Sequence, residues 1–167
     1  MKGAFDRVPR ALLWEVLQRL GVHGTMLRAI QSLYRGVGLS MNVSGRTGTS
    51  VRSETGVKQG CPLSPTLFGL FCDGLHRYLA HRCPTLGPAL TSGEHVPDLE
   101  YADDVTLLDG TAQGLQALLT AADAFFTQVG MIIEPAKTYI MVFGSGGPQQ
   151  FVWVCGGQPL HVVDSGK

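Results

Sequence analysis

Two adjacent aspartates, Asp103 and Asp104, stand between short apolar runs in the stretch EYADDVTLLDG. Residues 99–101 and 105–108 are predicted to form two short strands of a hairpin with both carboxylates at its tip. Neighbouring like charges repel, so the pair is stable either in open solvent or beside a cation that neutralises it. Carboxylates suit hard cations such as Mg²⁺, and two such ions about 4 Å apart can activate an attacking oxygen and neutralise a leaving one. The pair therefore predicts phosphoryl transfer, with ordinary solvated turn chemistry as the alternative.

Three further stretches contain residues that could bind or react with a ligand. GVKQGCPLSP contains Gln59 and Gly60 in a turn just before a helix, although an ordinary loop into a helix explains it equally well. GAFDRV, near the N-terminus, contains Phe5 next to an acidic residue. Lys137 stands two residues before the apolar run YIMVF, where an exposed lysine is normally only a solvated charge.

Apolar periodicity predicts the elements that must position these residues. Helical spacing is found in residues 9–21, 25–35 and 111–129, and in the stretch TLFGLFCDGLHRYLAH. A hairpin is predicted around a turn at 44–48, and MIIEPAKTYIMVFG reads as two strands around a turn at 134–136. This order indicates a single α+β domain, an antiparallel sheet with helices on one face.

Composition narrows the class of protein. The 167 residues are 44% hydrophobic and 16% charged, as in a globular protein, and no uncharged apolar run is long enough to span a bilayer. Net charge is zero, but residues 1–60 hold nine basic and three acidic residues, whereas the remainder hold four and ten. A basic half can attract phosphates and an acidic half can hold cations, although a chance distribution of solvated charge is the alternative.

The four cysteines include no C-x-x-C pair and indicate a reduced intracellular protein. A zinc site formed by Cys72, His76, His81 and Cys83 is a weaker alternative, because their spacing matches no common zinc pattern.

Four motifs in a fixed order resemble a known enzyme family. AFDRVP, GVKQGCPLSPTLFGLF, YADDVTLL and GMIIEPAKTYIMVF together resemble the palm of a reverse transcriptase over residues 3–143. The similarity is greatest to non-LTR (LINE-like) retrotransposon enzymes and their group II intron relatives. The resemblance implies a right-hand polymerase palm with part of the fingers over residues 1–143. Residues 144–167 would be a Gly-rich tail leading into a truncated last palm segment.

The same resemblance implies an RNA-directed DNA polymerase that performs nucleotidyl transfer to a primer 3′-OH with two Mg²⁺ ions, which Mn²⁺ could replace. Its partners would be an RNA or DNA template with a DNA primer, and deoxynucleoside triphosphates. The basic N-terminal part would contact phosphates without reading sequence. In a eukaryotic host its location would be nuclear.

The family also implies a role for each matching residue. Asp103 and Asp104 would be catalytic metal ligands. Phe5 would lie under the incoming sugar and exclude a ribose 2′-OH, which argues against an RNA-templated RNA polymerase. Gln59 and Gly60 would contact the nucleotide and the template. Lys137 would protonate the departing pyrophosphate.

Two departures from the family pattern lead to a second hypothesis. The third metal-binding Asp of the pattern Asp-x-x-x-Ala-Phe-Asp would fall immediately before Met1, and Glu100 replaces a residue that is more often uncharged. We therefore expect the 167 residues alone to lack polymerase activity. The alternative is a catalytically dead retroelement remnant with residual nucleic-acid binding, and an in-frame Asp or stop codons in the upstream coding sequence would distinguish the two.

Overall fold

The computed structural model describes residues 3–40, 42–143 and 151–164. The chain divides into two compact units, which we call the N-terminal unit (Phe5–Cys72) and the C-terminal unit (Asp73–Lys167 together with Met1–Ala4). Residues 144–150 and 165–167, which belong to the predicted Gly-rich tail, lie outside the described residues.

The N-terminal unit is built on helices whose ends are marked by proline and glycine. It contains α1 (Ala4–Arg7, except for its first residue), α2 (Arg10–Arg19), α3 (Gly24–Leu33) and α4 (Ser64–Cys72). Pro9 immediately precedes α2, and Gly21, at φ 88°, follows its end in a conformation that favours glycine. The buried side chains of α2 are Leu13 and Leu17, and α2 packs against α4. The helices predicted at 9–21 and 25–35 are confirmed.

Short strands connect α3 to α4. They are β1 (Gly38–Leu39), β2 (Asn42–Val43), β3 (Arg46–Thr47) and β4 (Val51–Arg52), with β1 paired to β4 and β2 to β3. Ser44 and Gly45 both have positive φ, 51° and 79°, as the two central residues of a type I′ hairpin turn require. The hairpin predicted around this turn is confirmed.

The C-terminal unit contains the remaining helices and strands. These are α5 (Gly74–Arg82), β5 (Asp98–Tyr101), β6 (Asp104–Leu107), α6 (Ala112–Gln128), a 3₁₀ turn (Pro135–Lys137), β7 (Tyr139–Val142), β8 (Val154–Cys155), β9 (Gln158–Pro159) and β10 (His161–Asp164). Thr111 caps α6, as its Oγ1 accepts a hydrogen bond from the Gly114 N–H at 3.0 Å. Helices α5 and α6 pack together, with the rings of Tyr78 and Phe125 5.4 Å apart.

The α+β class is confirmed as a mixture of helices and small antiparallel ladders, but the strands do not form one sheet. The described strands make five two-stranded ladders, and β7 pairs with β10 in parallel rather than antiparallel register. A parallel pair needs a connection of about a dozen residues or more, and the stretch between Val142 and His161 in the sequence is long enough for one. No strand forms at residues 131–134, where one was expected. None of the helices in the described ranges is long and apolar enough to cross a bilayer.

Candidate active site

The β5–β6 hairpin presents the two aspartates at its turn. Tyr101 pairs with Asp104, so Ala102 and Asp103 alone form the connecting loop. Ala102 has φ 53°, a conformation that costs a residue with a Cβ about 1–2 kcal/mol. Strain of this kind persists only where the surrounding structure holds it, and it is concentrated at functional turns.

The two faces of the hairpin differ in what they expose. Cross-strand pairing and the two-residue period place Tyr101 and Asp104 on one face together with Leu99. This face is open, with Tyr101 84% and Leu99 56% exposed. An open apolar surface beside a carboxylate is suited to contact with a ligand that has both a charged and an apolar part.

The oxygen ligands of Asp103 and Asp104 fit a magnesium site in which the protein supplies few ligands. Mg²⁺ is usually held by one or two carboxylates, with water and substrate phosphates completing its shell. Among residues 3–40, 42–143 and 151–164, no group of three or more His, Cys, Asp or Glu side chains could hold a metal ion. Within these ranges Cys72, His76, His81 and Cys83 are therefore not grouped as the zinc alternative would require.

The opposite face of the hairpin carries a second acidic pair, Asp98 and Glu100. Asp98 is buried, and its Oδ1 lies 2.9 Å from Nδ1 of His76 on α5. The pKa of Glu100 is raised to about 7, mainly because its carboxyl group is partly buried. A hydrogen bond to Asp98 and the negative charges of Asp98 and Asp73 raise it further, whereas His76 lowers it. Glu100, which the sequence singled out as a departure from the family, therefore keeps its proton close to neutral pH by donating it to Asp98.

Glu100→Gln is expected to stabilise the chain at pH 8 and to have little effect at pH 4.5. Between pH 4.5 and about 7 the folded state retains a proton that the unfolded state has released, so the stability of the wild type falls as pH rises. Because Glu100 is partly exposed and the shift is therefore screened by solvent, we expect Glu100→Gln to raise the free energy of unfolding at pH 8 by about 1–2 kcal/mol. Urea unfolding at the two pH values measures it, with exposed Glu94→Gln as the control. An equal effect of Glu100→Gln on stability at both pH values would contradict the raised pKa of Glu100 and its hydrogen bond to Asp98.

Lys137 is the last residue of the 3₁₀ turn that leads into β7. The turn is closed by the N–H groups of Lys137 and Thr138, which donate to the carbonyls of Glu134 and Pro135 at 3.0 and 3.1 Å. The Lys137 side chain is exposed, which leaves its ammonium accessible to a ligand. Its role as an acid remains a prediction.

In the N-terminal unit, the first two sequence motifs are joined by backbone contacts. The N–H of Val57 donates to the carbonyl of Phe5 at 2.7 Å, and that of Gly56 donates to Val8 at 2.8 Å. A Cβ on Gly56 would lie 2.8 Å from the Cα of Asp6, so this approach requires glycine. The loop that leads to Gln59 is therefore fixed against α1.

Side-chain contacts also join these two motifs, in addition to the backbone hydrogen bonds. The Phe5 ring stacks on buried Phe68 of α4, with centroids 4.9 Å apart and planes 12° from parallel. Nε2 of Gln59 donates to both carboxylate oxygens of Asp6, at 2.9 and 3.0 Å. Phe5 and Gln59 thus lie in two segments that are in direct contact. Gly60, at φ 78°, follows Gln59 in the loop that leads to α4.

Sequence reasoning missed Arg10. Its guanidinium donates to the carbonyls of Ser53, Thr55 and Gly56 at 2.6, 2.9 and 2.8 Å and lies 5.2 Å from the centre of the Tyr34 ring. It thereby holds the loop that precedes Gln59. An arginine at the start of an amphipathic helix gives no sequence signal for contacts more than forty residues away.

Comparison with known proteins identifies similar sequences over nearly the whole chain. The family model described as "Reverse transcriptase (RNA-dependent DNA polymerase)" matches residues 1–159. The Retrovirus-related Pol polyprotein from type-2 retrotransposable element R2DM of Drosophila melanogaster is 32% identical over 97% of this chain. The corresponding type-1 R2 polyproteins of Nasonia vitripennis and Popillia japonica are 31% and 35% identical over 97% and 88% of it. The chain spans 15%, 15% and 21% of these three relatives, respectively.

Proposed function

Because the chain belongs to the reverse transcriptase (RNA-dependent DNA polymerase) family, we propose that it is the catalytic palm segment of a non-LTR retroelement's RNA-directed DNA polymerase. The observation that carries this proposal is the β5–β6 hairpin, whose two-residue turn holds Asp103 and places Asp104 at the start of β6. Residues 1–143 would form the palm with part of the fingers. In a eukaryotic host the enzyme would act in the nucleus.

Asp103 and Asp104 would hold Mg²⁺, with Mn²⁺ as a substitute. When bound, the metal would neutralise charge on the triphosphate and favour ionisation of the attacking primer hydroxyl. The exposed face around Tyr101 and Leu99 would accommodate the apolar parts of the primer end or nucleotide.

The remaining site residues would bind the nucleotide and move a proton. Phe5, braced by its stack on Phe68, would form a rigid wall beneath the sugar and select deoxynucleotides. Gln59 and Gly60 would contact the nucleotide and template from a loop that is held against α1. Lys137 would hold the proton that the leaving pyrophosphate takes up.

The second candidate function is a catalytically dead remnant that at most binds nucleic acid. The observation that favours it is that the β5–β6 turn holds two carboxylates, Asp103 and Asp104, one fewer than the family pattern implies for the metal site. Since a lost ligand in phosphoryl transfer costs orders of magnitude in rate, we expect the isolated chain not to synthesise DNA.

A recessed RNA–DNA primer–template tests both candidates, with binding followed by fluorescence anisotropy and extension followed by gel. We expect the 167-residue chain to bind in a salt-dependent manner, more tightly than to a blunt duplex of equal length, and not to extend the primer. Equal binding to the blunt duplex, or none, favours the remnant. Robust Mg²⁺-dependent extension would contradict the expected inactivity and support the polymerase directly.

A further inference from the structure

The side chains of Asp6 and Gln59, 53 residues apart, form a contact whose direction is chemically determined. Nε2 of Gln59 lies 2.9 and 3.0 Å from the two carboxylate oxygens of Asp6. An ionised carboxylate only accepts hydrogen bonds, and an amide nitrogen only donates them. The contact therefore sets which end of the Gln59 amide faces Asp6 and leaves the carbonyl oxygen, Oε1, for other partners.

The backbone on both sides of this contact is fixed, which distinguishes it from a chance pair of surface side chains. Two backbone hydrogen bonds hold the loop on either side of Asp6, from the Val57 N–H to Phe5 in α1 and from the Gly56 N–H to Val8 just after it. The close approach of Gly56 to the Asp6 Cα leaves no space for a side chain between them. The donor and the acceptor are therefore held at hydrogen-bonding distance by structure that does not depend on their own side chains.

We propose that Asp6 is a positioning residue that orients the Gln59 amide so that Oε1 is the group offered to the ligand. This inference rests on the proposed function, in which Gln59 contacts the nucleotide or template. It restricts the chemistry of the contact, because a carbonyl oxygen binds a hydroxyl or amino group and does not bind a phosphate oxygen.

The effect of Asp6 on binding comes from pre-organisation. Without Asp6 the Gln59 side chain can rotate and present either end of its amide, and binding must then restrict that freedom. A charge-assisted hydrogen bond is also stronger than a neutral one. We expect Asp6→Ala to weaken binding of the recessed RNA–DNA primer–template by about three- to tenfold.

A double-mutant cycle separates positioning from independent effects. Asp6→Ala and Gln59→Ala are compared with the double variant, using the same primer–template and anisotropy measurement. If Asp6 acts through Gln59, the double variant binds about as weakly as Gln59→Ala alone. Effects that multiply in the double variant would overturn the inference.

An exchange of the two side-chain types supplies a matched control. Gln59→Glu alone places two carboxylates against each other, whereas Asp6→Asn with Gln59→Glu restores a donor–acceptor pair and leaves the net charge of the wild type. The exchanged pair still offers an oxygen acceptor at position 59. We therefore expect it to bind within about threefold of the wild type, and Gln59→Glu at least about tenfold more weakly. Equal weakness of the two would overturn the inference.

A readout independent of binding is the pair of side-chain amide signals of Gln59 in a ¹⁵N-edited NMR spectrum of the free chain. Asp6→Ala should move these signals to the values of a solvated glutamine while the backbone amide signals of Leu67 and Phe68 stay in place. Unmoved side-chain signals would contradict the contact. If Asp6→Ala binds normally while Gln59→Ala binds weakly, only the inference fails; if both variants bind normally, the proposed role of Gln59 fails as well.

Discussion

Asp103→Asn is expected to weaken Mn²⁺ binding by the 167-residue chain by at least about tenfold. The substitution keeps the size and shape of the side chain but removes the charge that a hard cation needs, and tenfold corresponds to about 1.4 kcal/mol. Asp104→Asn should produce a loss of similar size, because at most two protein carboxylates are available at this turn. Electron paramagnetic resonance of free Mn²⁺ in a titration measures the affinity directly.

The control for this experiment is Glu94→Gln, which removes one exposed carboxylate of the same unit, nine residues before Asp103 in the sequence. It should bind Mn²⁺ as the wild type does. Far-UV circular dichroism establishes that the aspartate variants remain folded. If Asp103→Asn and Asp104→Asn bind as tightly as the Glu94 variant, the two aspartates are ordinary turn residues and the metal-site hypothesis is wrong.

Arg10→Met is expected to lower the free energy of unfolding by about 2–4 kcal/mol. Methionine retains most of the apolar stem but leaves the carbonyls of Ser53, Thr55 and Gly56 without their donor. Arg10→Lys should recover only part of the loss, since a compact ammonium cannot reproduce the planar fork that reaches all three carbonyls. Urea unfolding followed by circular dichroism measures both variants.

Arg19→Met is the matched control for Arg10, because it removes an exposed arginine from the last turn of the same helix. Arg19→Met should lower the free energy of unfolding by no more than about 0.5 kcal/mol. A cost for Arg10→Met no greater than that of the control would show that the three carbonyls are equally well solvated without the guanidinium. In that case the loop before Gln59 would be held by its backbone contacts with α1 alone.

Local features of the sequence were sufficient to predict most elements, including the hairpin that holds Asp103 and Asp104. Pro9 and Gly21 mark the ends of the second helix, and Thr111 marks the start of the sixth, because capping and backbone sterics act over a few residues. The short apolar runs on either side of Asp103 and Asp104 predicted the hairpin, since such runs bounded by turn residues favour strands. The four motifs and their order predicted the family, which the family model confirms.

Long-range contacts were not predictable in the same way. The order of the strands did not reveal that β7 pairs with β10 in parallel, because strand pairing depends on how the intervening chain returns. The raised pKa of Glu100 also escaped prediction, because the partial burial of its carboxyl group and the approach of Asp73, more than twenty positions away, arise only in the folded chain.

The sequence by itself determined which residue types stand at the turns and helix ends, and therefore where carboxylates, an aromatic ring and an amide could act. Only the tertiary structure decided that Gln59 donates to Asp6 and that Arg10 donates to the loop before Gln59. The physical reason is range: propensity and periodicity arise from neighbours within a few residues, whereas these hydrogen bonds join residues more than forty positions apart and form only when helices and loops pack.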